Sequence, residues 1–178
     1  MVPGRAGRAL YLVKPIRPAT PSDVPVILEL VRELAVYEQE PDAVEATEDM
    51  LREALFGEHA SASCHVALDR SGAVVGFALW YVTFSTWKGL PGLWLEDLFV
   101  RPEARGHGLG QALLQELAAV CVHRGYPRFE WWVLDWNAPA IGFYRALGAV
   151  PQDEWTTYRV DGPALVRLAT PDGASGPD

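Results

Sequence analysis

Cysteine is scarce in this 178-residue chain: there are two, Cys64 and Cys121. They stand far apart, with no CxxC or Cys/His spacing, which removes structural zinc and dithiol redox chemistry and leaves two buried reduced thiols. Long apolar runs are also lacking. No stretch approaches the roughly 20 apolar residues of a membrane span, and Arg5, Arg8 and the run from Ala9 to Val13 are too short for a signal segment. Positive charge is short as well, with 15 Lys and Arg against 23 Asp and Glu and a formal net charge of −8. Nucleic-acid phosphates need a basic face, and this composition does not supply one. These deficits predict a cytoplasmic protein with no metal, no membrane partner and no nucleic-acid partner. The acidic balance itself leaves two readings, a cationic partner or the ordinary acidity of a soluble chain.

What is present is 49% hydrophobic, enough for one packed core and short for two. The most informative stretch runs from Leu95 to Gly110. Trp94, Leu95, Leu98, Phe99 and Val100 form an apolar run of strand length, broken by Glu96 and Asp97 and stopped by Pro102. Leu109, Leu113, Leu117, Val120 and Cys121 then recur at helical spacing. A strand therefore feeds a helix through Gly106, Gly108 and Gly110. The first N–H groups of a helix lack internal partners and sit at the positive end of its dipole, so this mouth suits an anion, with Arg101 and Arg105 adding positive charge. A Walker A loop is excluded by the missing Gly-Lys-Ser/Thr ending, and Gln111 stands where a dinucleotide fingerprint needs its third glycine.

Arg105-Gly106-His107-Gly108-Leu109-Gly110 resembles the Q/R-x-x-G-x-G/A acyl-CoA loop of the GNAT N-acetyltransferase superfamily. More narrowly, Arg17 to Thr20, Glu33 to Glu38, Phe56 to His59, Leu95 to Val100 and Trp136-Asn137 through Tyr144 resemble its diamine (spermidine/spermine-type) or thialysine branch. The resemblance covers Lys14 to Leu168. It implies an α/β GNAT fold: a mixed six- to seven-stranded central sheet, splayed at the acetyl-CoA site and flanked by about four helices. The catalytic domain is expected over residues 13–169, with a leader at 1–12, a disordered tail at 170–178 and homodimeric assembly. It further implies acetyl-CoA as co-substrate and a small-molecule amine as acceptor, with Leu98, Phe99, Val100, Arg105, Gly106, His107, Gly108, Leu109, Gly110, Gln111, Asn137, Ala140 and Tyr144 on the cofactor. Tyr37, Glu38, Trp87, Glu96, Asp97, Trp132 and Trp155 are implied for the amine.

Taken in order, Val13 to Ile16 reads as an edge strand. Thr20-Pro21-Ser22-Asp23 caps a helix whose buried face carries Val24, Ile27, Leu28, Val31, Leu34 and Ala35. Thr47 caps a second helix that Gly57 ends. Cys64 to Leu68 and Val74 to Phe84 form a hairpin across Asp69 to Gly72. Phe129 to Leu134 reads as a strand, Asn137 and Gly148 bracket a helix, and Trp155 to Val160 with Ala164 to Leu168 are expected to finish the sheet and core.

Moving an acetyl group to an amine needs a neutral nitrogen, yet a primary ammonium is deprotonated in fewer than about one molecule per thousand at pH 7. A carboxylate that accepts that proton, directly or through water, helps, and Glu96, inside an apolar strand, is the first choice. On an ideal strand Asp97 points to the opposite face, where orienting a helix end and binding a cationic substrate are both open. Tyr144 matches the superfamily tyrosine that protonates the departing thiolate. Trp131 and Trp132 narrow the expected groove, and Lys88 beside Trp87 is a candidate for a substrate carboxylate. Two alternatives stand beside this reading: acetylation of a protein or peptide, and a non-catalytic acyl-CoA-binding or polyamine-sensing module.

Overall fold

The computed structural model describes residues 15–170, so the expected leader at 1–12, most of the expected tail, and Val13 and Lys14 lie outside the described residues. The chain divides into two compact units, one ending at Trp132 and the other beginning at Val133.

In the first unit, β1 (Ile16–Pro18) leads through a 3-10 turn into α1 (Val24–Tyr37), then α2 (Glu48–Phe56) and β2 (Ser63–Leu68). β3 (Val74–Ser85) and β4 (Leu90–Val100) form a long hairpin, followed by α3 (Leu109–Arg124) and β5 (Phe129–Trp131). The sheet order is β1-β2-β3-β4-β5, antiparallel except for the parallel β4–β5 pair. A mixed sheet between helical layers is the GNAT-like architecture expected. The described residues contain five strands rather than six or seven, and five α-helices rather than about four.

Local signals explain the starts and stops. The Asp23 carboxylate accepts from the Thr20 backbone N–H at 2.7 Å and holds Arg17 through two contacts of 2.7 and 2.8 Å, which fixes the entry to α1. Thr47 Oγ1 accepts from the Met50 N–H at 3.2 Å, and Gly57 caps the end of α2. On one face of the sheet Ile27, Leu30 and Leu34 of α1 pack with Val66, Phe77 and Phe99. The opposite face carries Trp80 and Leu95, with Arg124 of α3 over the Trp80 ring, and Leu113, Leu117 and Cys121 are buried on α3. Each fully buried Leu or Phe contributes about 2 kcal/mol of transfer free energy.

In the second unit, α4 (Ala138–Ala146) has Asn137 as N-cap, its side-chain oxygen accepting from the Ala140 N–H at 3.3 Å, and Gly148 follows at φ 89°. Three strand expectations fail. β5 stops at Trp131, so Trp132, Val133 and Leu134 are not in it. Trp155 to Val160 is irregular and exposed, and Ala164 to Leu168 lies within α5 (Gly162–Ala169). Pro163 in the first turn and the i, i+4 pair Ala164 and Leu168 favour a helix there, and an apolar run of five residues does not distinguish strand from helix by periodicity.

Candidate active site

The site is built around an irregularity in β4. Leu79 pairs with Asp97 and Trp80 pairs with Leu95, so Glu96 is an extra residue without a partner on β3. Such a bulge reverses side-chain parity. Leu95 shares the α3 face with Trp80, whereas Asp97 shares the α1 face with Leu79 and lies two residues before core residue Phe99. The expectation that Asp97 points away from Glu96 is therefore corrected. Glu96 accepts from the Trp94 indole N–H at 3.1 Å and from the Tyr81 phenol, and Trp94 pairs with Tyr81 on the α1 side. Both carboxylates thus turn toward one face.

α1 ends at that face, with Tyr37 its last residue and Glu38 its C-cap. Burial, then the charges of Glu96 and Glu38, push the Asp97 carboxyl up to about 6. Partial desolvation raises Glu38, and the Tyr81 phenol is raised by burial and by Glu96. Asp97 feels both of the other carboxylates, which marks a surface suited to a cation. Trp132 packs edge-on against Trp94 with ring centroids 4.8 Å apart, which ties it to this group. Trp87, 88% exposed, sits at the β3–β4 hairpin tip, about 20 Å along β4 from Glu96 by strand rise.

Beyond the bulge the sheet splays. The β4–β5 ladder ends at Leu95↔Trp131, while β4 continues to Val100. The Arg101 N–H donates to the Val75 carbonyl at 2.9 Å, which makes Phe77↔Phe99 a hydrogen-bonded pair and turns the backbone groups of Leu98 and Val100 to the opposite edge. Along this edge the Leu98 N–H faces the splay.

The loop after β4 opens α3. Gly106 and Gly108 both have φ 78°, Gly108 is the N-cap with no side-chain cap, and a Cβ on either would meet nothing within 4 Å. Their glycines are needed for the left-handed backbone rather than for clearance within the protein. Leu109, Gly110 and Gln111 form the first turn of α3, and their N–H groups have no intrahelical acceptors. His107 is exposed, with Nδ1 3.4 Å from the Ala104 carbonyl. This donor set fits a pyrophosphate.

The two arginines expected to add charge here are committed elsewhere. Arg101 reaches Glu33 from Nε and Nη2 at 2.7 to 3.1 Å and lies 2.8 Å from Glu29. Arg105 Nε donates to the Val100 carbonyl at 2.8 Å, and its guanidinium lies over the Tyr37 and Phe99 rings at 5.2 and 5.6 Å. Backbone amides therefore carry the anion-binding character of the loop. In the second unit, Asn137 is buried as the α4 N-cap, Ala140 accompanies it in the first turn, and Tyr144 packs with Phe143 at 5.4 Å between ring centroids. Trp155 is 74% exposed. Tyr81 and Trp94 were missed in the sequence; their ring donors read as core aromatics until the bulge turns Glu96 toward them.

Residues 27–149 match the Acetyltransferase (GNAT) family. The chain belongs to that family. This GNAT chain is 41% identical over 164 residues to a thialysine N-epsilon-acetyltransferase of Bos taurus, covering 86% of the chain and 96% of the relative. It is 30% identical to an L-ornithine N5-acetyltransferase of Arabidopsis thaliana, covering 84% and 85% respectively. Among solved structures, an integron cassette protein from the mobile metagenome of V. cholerae superposes with TM-score 0.73 at 29% identity, covering 86% of this chain and 96% of that one. The GNAT chain is an N-acetyltransferase. Among the described residues, no helix is long and apolar enough to cross a membrane.

Proposed function

We propose that this chain transfers the acetyl group of acetyl-CoA to a primary amine of a small cationic acceptor by direct attack within a ternary complex. The acceptor is a polyamine or diamine, or a thialysine-like amino acid. The observation that carries this reading is the bulge in β4, which sets Glu96 and Asp97 on one face near Glu38 and leaves the Leu98 N–H on the adjoining splayed edge. One strand thereby offers carboxylates for a cation and an amide donor for a developing oxyanion. The relatives named for thialysine N-epsilon and L-ornithine N5 acetylation favour a basic amino acid with a distal amine over a polyamine.

Acetyl-CoA, when bound, supplies the acetyl group as a thioester. In this reading the amides from Gly106 to Gln111 hold its pyrophosphate, with Arg105 and His107 on the loop, and the outward backbone groups of Leu98 and Val100, on either side of Phe99, hydrogen-bond its pantetheine amides. Asn137, Ala140 and Tyr144 contribute from α4. A carboxylate of the acid face takes a proton from the ammonium, and the Tyr144 phenol gives its proton to the leaving sulfur. Tyr37, Glu38, Trp132 and Trp155 serve the acceptor. Residues 13–169 act as one catalytic domain in a cytoplasmic homodimer.

The test is thiol release from acetyl-CoA with spermidine, putrescine, thialysine, L-ornithine, lysine and a short peptide, against a no-acceptor control. Selective turnover of thialysine or ornithine is the expected result. Turnover of the peptide alone, or acetyl-CoA binding without turnover of any amine, overturns the reading in favour of protein acetylation or a silent acyl-CoA-binding module.

A further inference from the structure

The two carboxylates beside the bulge differ in what surrounds them. Glu96 is exposed, and its carboxylate accepts from the Trp94 indole and the Tyr81 phenol. Asp97 is half-buried, and no hydrogen-bond donor or cation of the described residues reaches its carboxylate. The titratable groups whose charges couple to it are Glu96 on its own strand, Glu38 at the end of α1 and the Cys64 thiol on β2. Burial raises that thiol most, with the charges of Asp23 and Asp97 adding to it. Arg105, the cation on this side, is held over the Tyr37 and Phe99 rings and to the Val100 carbonyl. Among the described residues, Asp97 is thus a carboxylate left without compensating charge.

We propose that Asp97, rather than Glu96, accepts the proton that the acceptor amine must lose, while Glu96 is a neighbouring carboxylate oriented by Trp94 and Tyr81. The proposal rests on the acetyl-transfer reading above and assigns roles within that site. In the step, one N–H bond of the ammonium breaks, its electron pair stays on nitrogen as the attacking lone pair, and the proton bonds to an Asp97 carboxylate oxygen. That oxygen suits the work, because the surrounding carboxylates and partial burial bring the Asp97 acid near neutrality, where a general base is most efficient. Glu96 then contributes through its charge, which favours the protonated form of its neighbour.

The experiment compares wild type, Asp97→Asn and Glu96→Gln. The pH dependence of kcat/KM is measured with the best acceptor, and acetyl-CoA affinity is measured for each protein. The expected wild-type profile has an acid limb near pH 6. Glu96→Gln keeps that limb but moves it to lower pH, because one like charge has gone. Asp97→Asn loses the limb, turns over about 100-fold or more slowly, and binds acetyl-CoA with wild-type affinity. A limb that survives in Asp97→Asn and disappears in Glu96→Gln overturns the assignment. If wild type acetylates none of the amines, the acetyl-transfer reading fails separately, and NMR titration of the Asp97 carboxyl still decides the inference. Titration near pH 6 that moves down in Glu96→Gln supports it; titration in the ordinary aspartate range overturns it.

Discussion

The two ends of α3 offer a matched pair of perturbations for the phosphate-binding role proposed for the glycine loop. Gly108 at its N-cap has φ 78° and Gly125 at its C-cap has φ 69°, and a Cβ on either meets nothing within 4 Å. Alanine at each position therefore adds no clash and imposes the same cost, a left-handed conformation worth about 1–2 kcal/mol. For a chain of this size that lowers Tm by about 2–8 °C. The two substitutions should match in stability and differ in binding. At Gly108 the strain is relieved by rotating the peptide planes that aim the first N–H groups of α3. Losing one amide contact to a phosphate costs about 1.5–3 kcal/mol, or roughly tenfold to hundredfold in Kd. Gly125, about 24 Å away along the helix axis, leaves those amides untouched. Differential scanning fluorimetry gives Tm, and isothermal titration calorimetry gives the acetyl-CoA Kd. Equal Kd values for Gly108→Ala and Gly125→Ala, with equal Tm losses, would refute the assignment of phosphate binding to the loop backbone.

Three further perturbations address separate parts of the chain. Replacing Tyr144 by Phe removes the phenolic proton, so turnover should fall about 100-fold while acetyl-CoA affinity stays within about twofold, as separate rate and binding measurements will show. His65 is buried, its Nδ1 accepts from the Trp80 indole N–H at 3.1 Å, and burial lowers its pKa. The unfolded chain then binds the proton more readily, so stability falls as pH drops below about 6.5. Urea unfolding should show a steeper loss between pH 7 and 5 in wild type than in His65→Gln, and parallel losses would remove His65 as the cause. The Arg17 guanidinium, hydrogen-bonded to Asp23, lowers that carboxyl to about 2. Asp23→Asn should therefore cost about 2 kcal/mol at neutral pH. Because the folded pKa is depressed, this contribution is present above about pH 4 and lost as pH falls toward 2, so the difference in urea midpoints should close across that window.

Much of this architecture is visible in the sequence where local chemistry is strong. Thr20 to Asp23, Thr47, Asn137 and Gly148 mark helix ends because caps act over three or four residues. The glycine loop is legible because strand, turn and helix follow in one continuous stretch. The acid face was misread because alternation is counted from an ideal ladder, and nothing in Leu95-Glu96-Asp97-Leu98 announces an extra residue against β3. The fate of Arg101 is equally hidden, since its partners Glu29 and Glu33 lie on α1, more than sixty residues earlier. Ala164 to Leu168 shows the limit of short apolar runs, in which Pro163 was the better guide to structure.

The extra residue in β4 has a consequence for how this chain can vary in length. β4 is two half-strands of opposite phase joined at Glu96. Deleting one residue there would close the ladder, but it would also exchange the faces of everything on one side of the joint. Phe99, only 5% exposed in the α1 core, would then turn toward α3, or Leu95, 2% exposed, would turn away from it. Insertions at the hairpin tip around Trp87 carry no such penalty. A comparison of homologous sequences should therefore find length variation at that tip and a constant count of residues from Leu93 to Val100, even where the identity of the carboxylates differs.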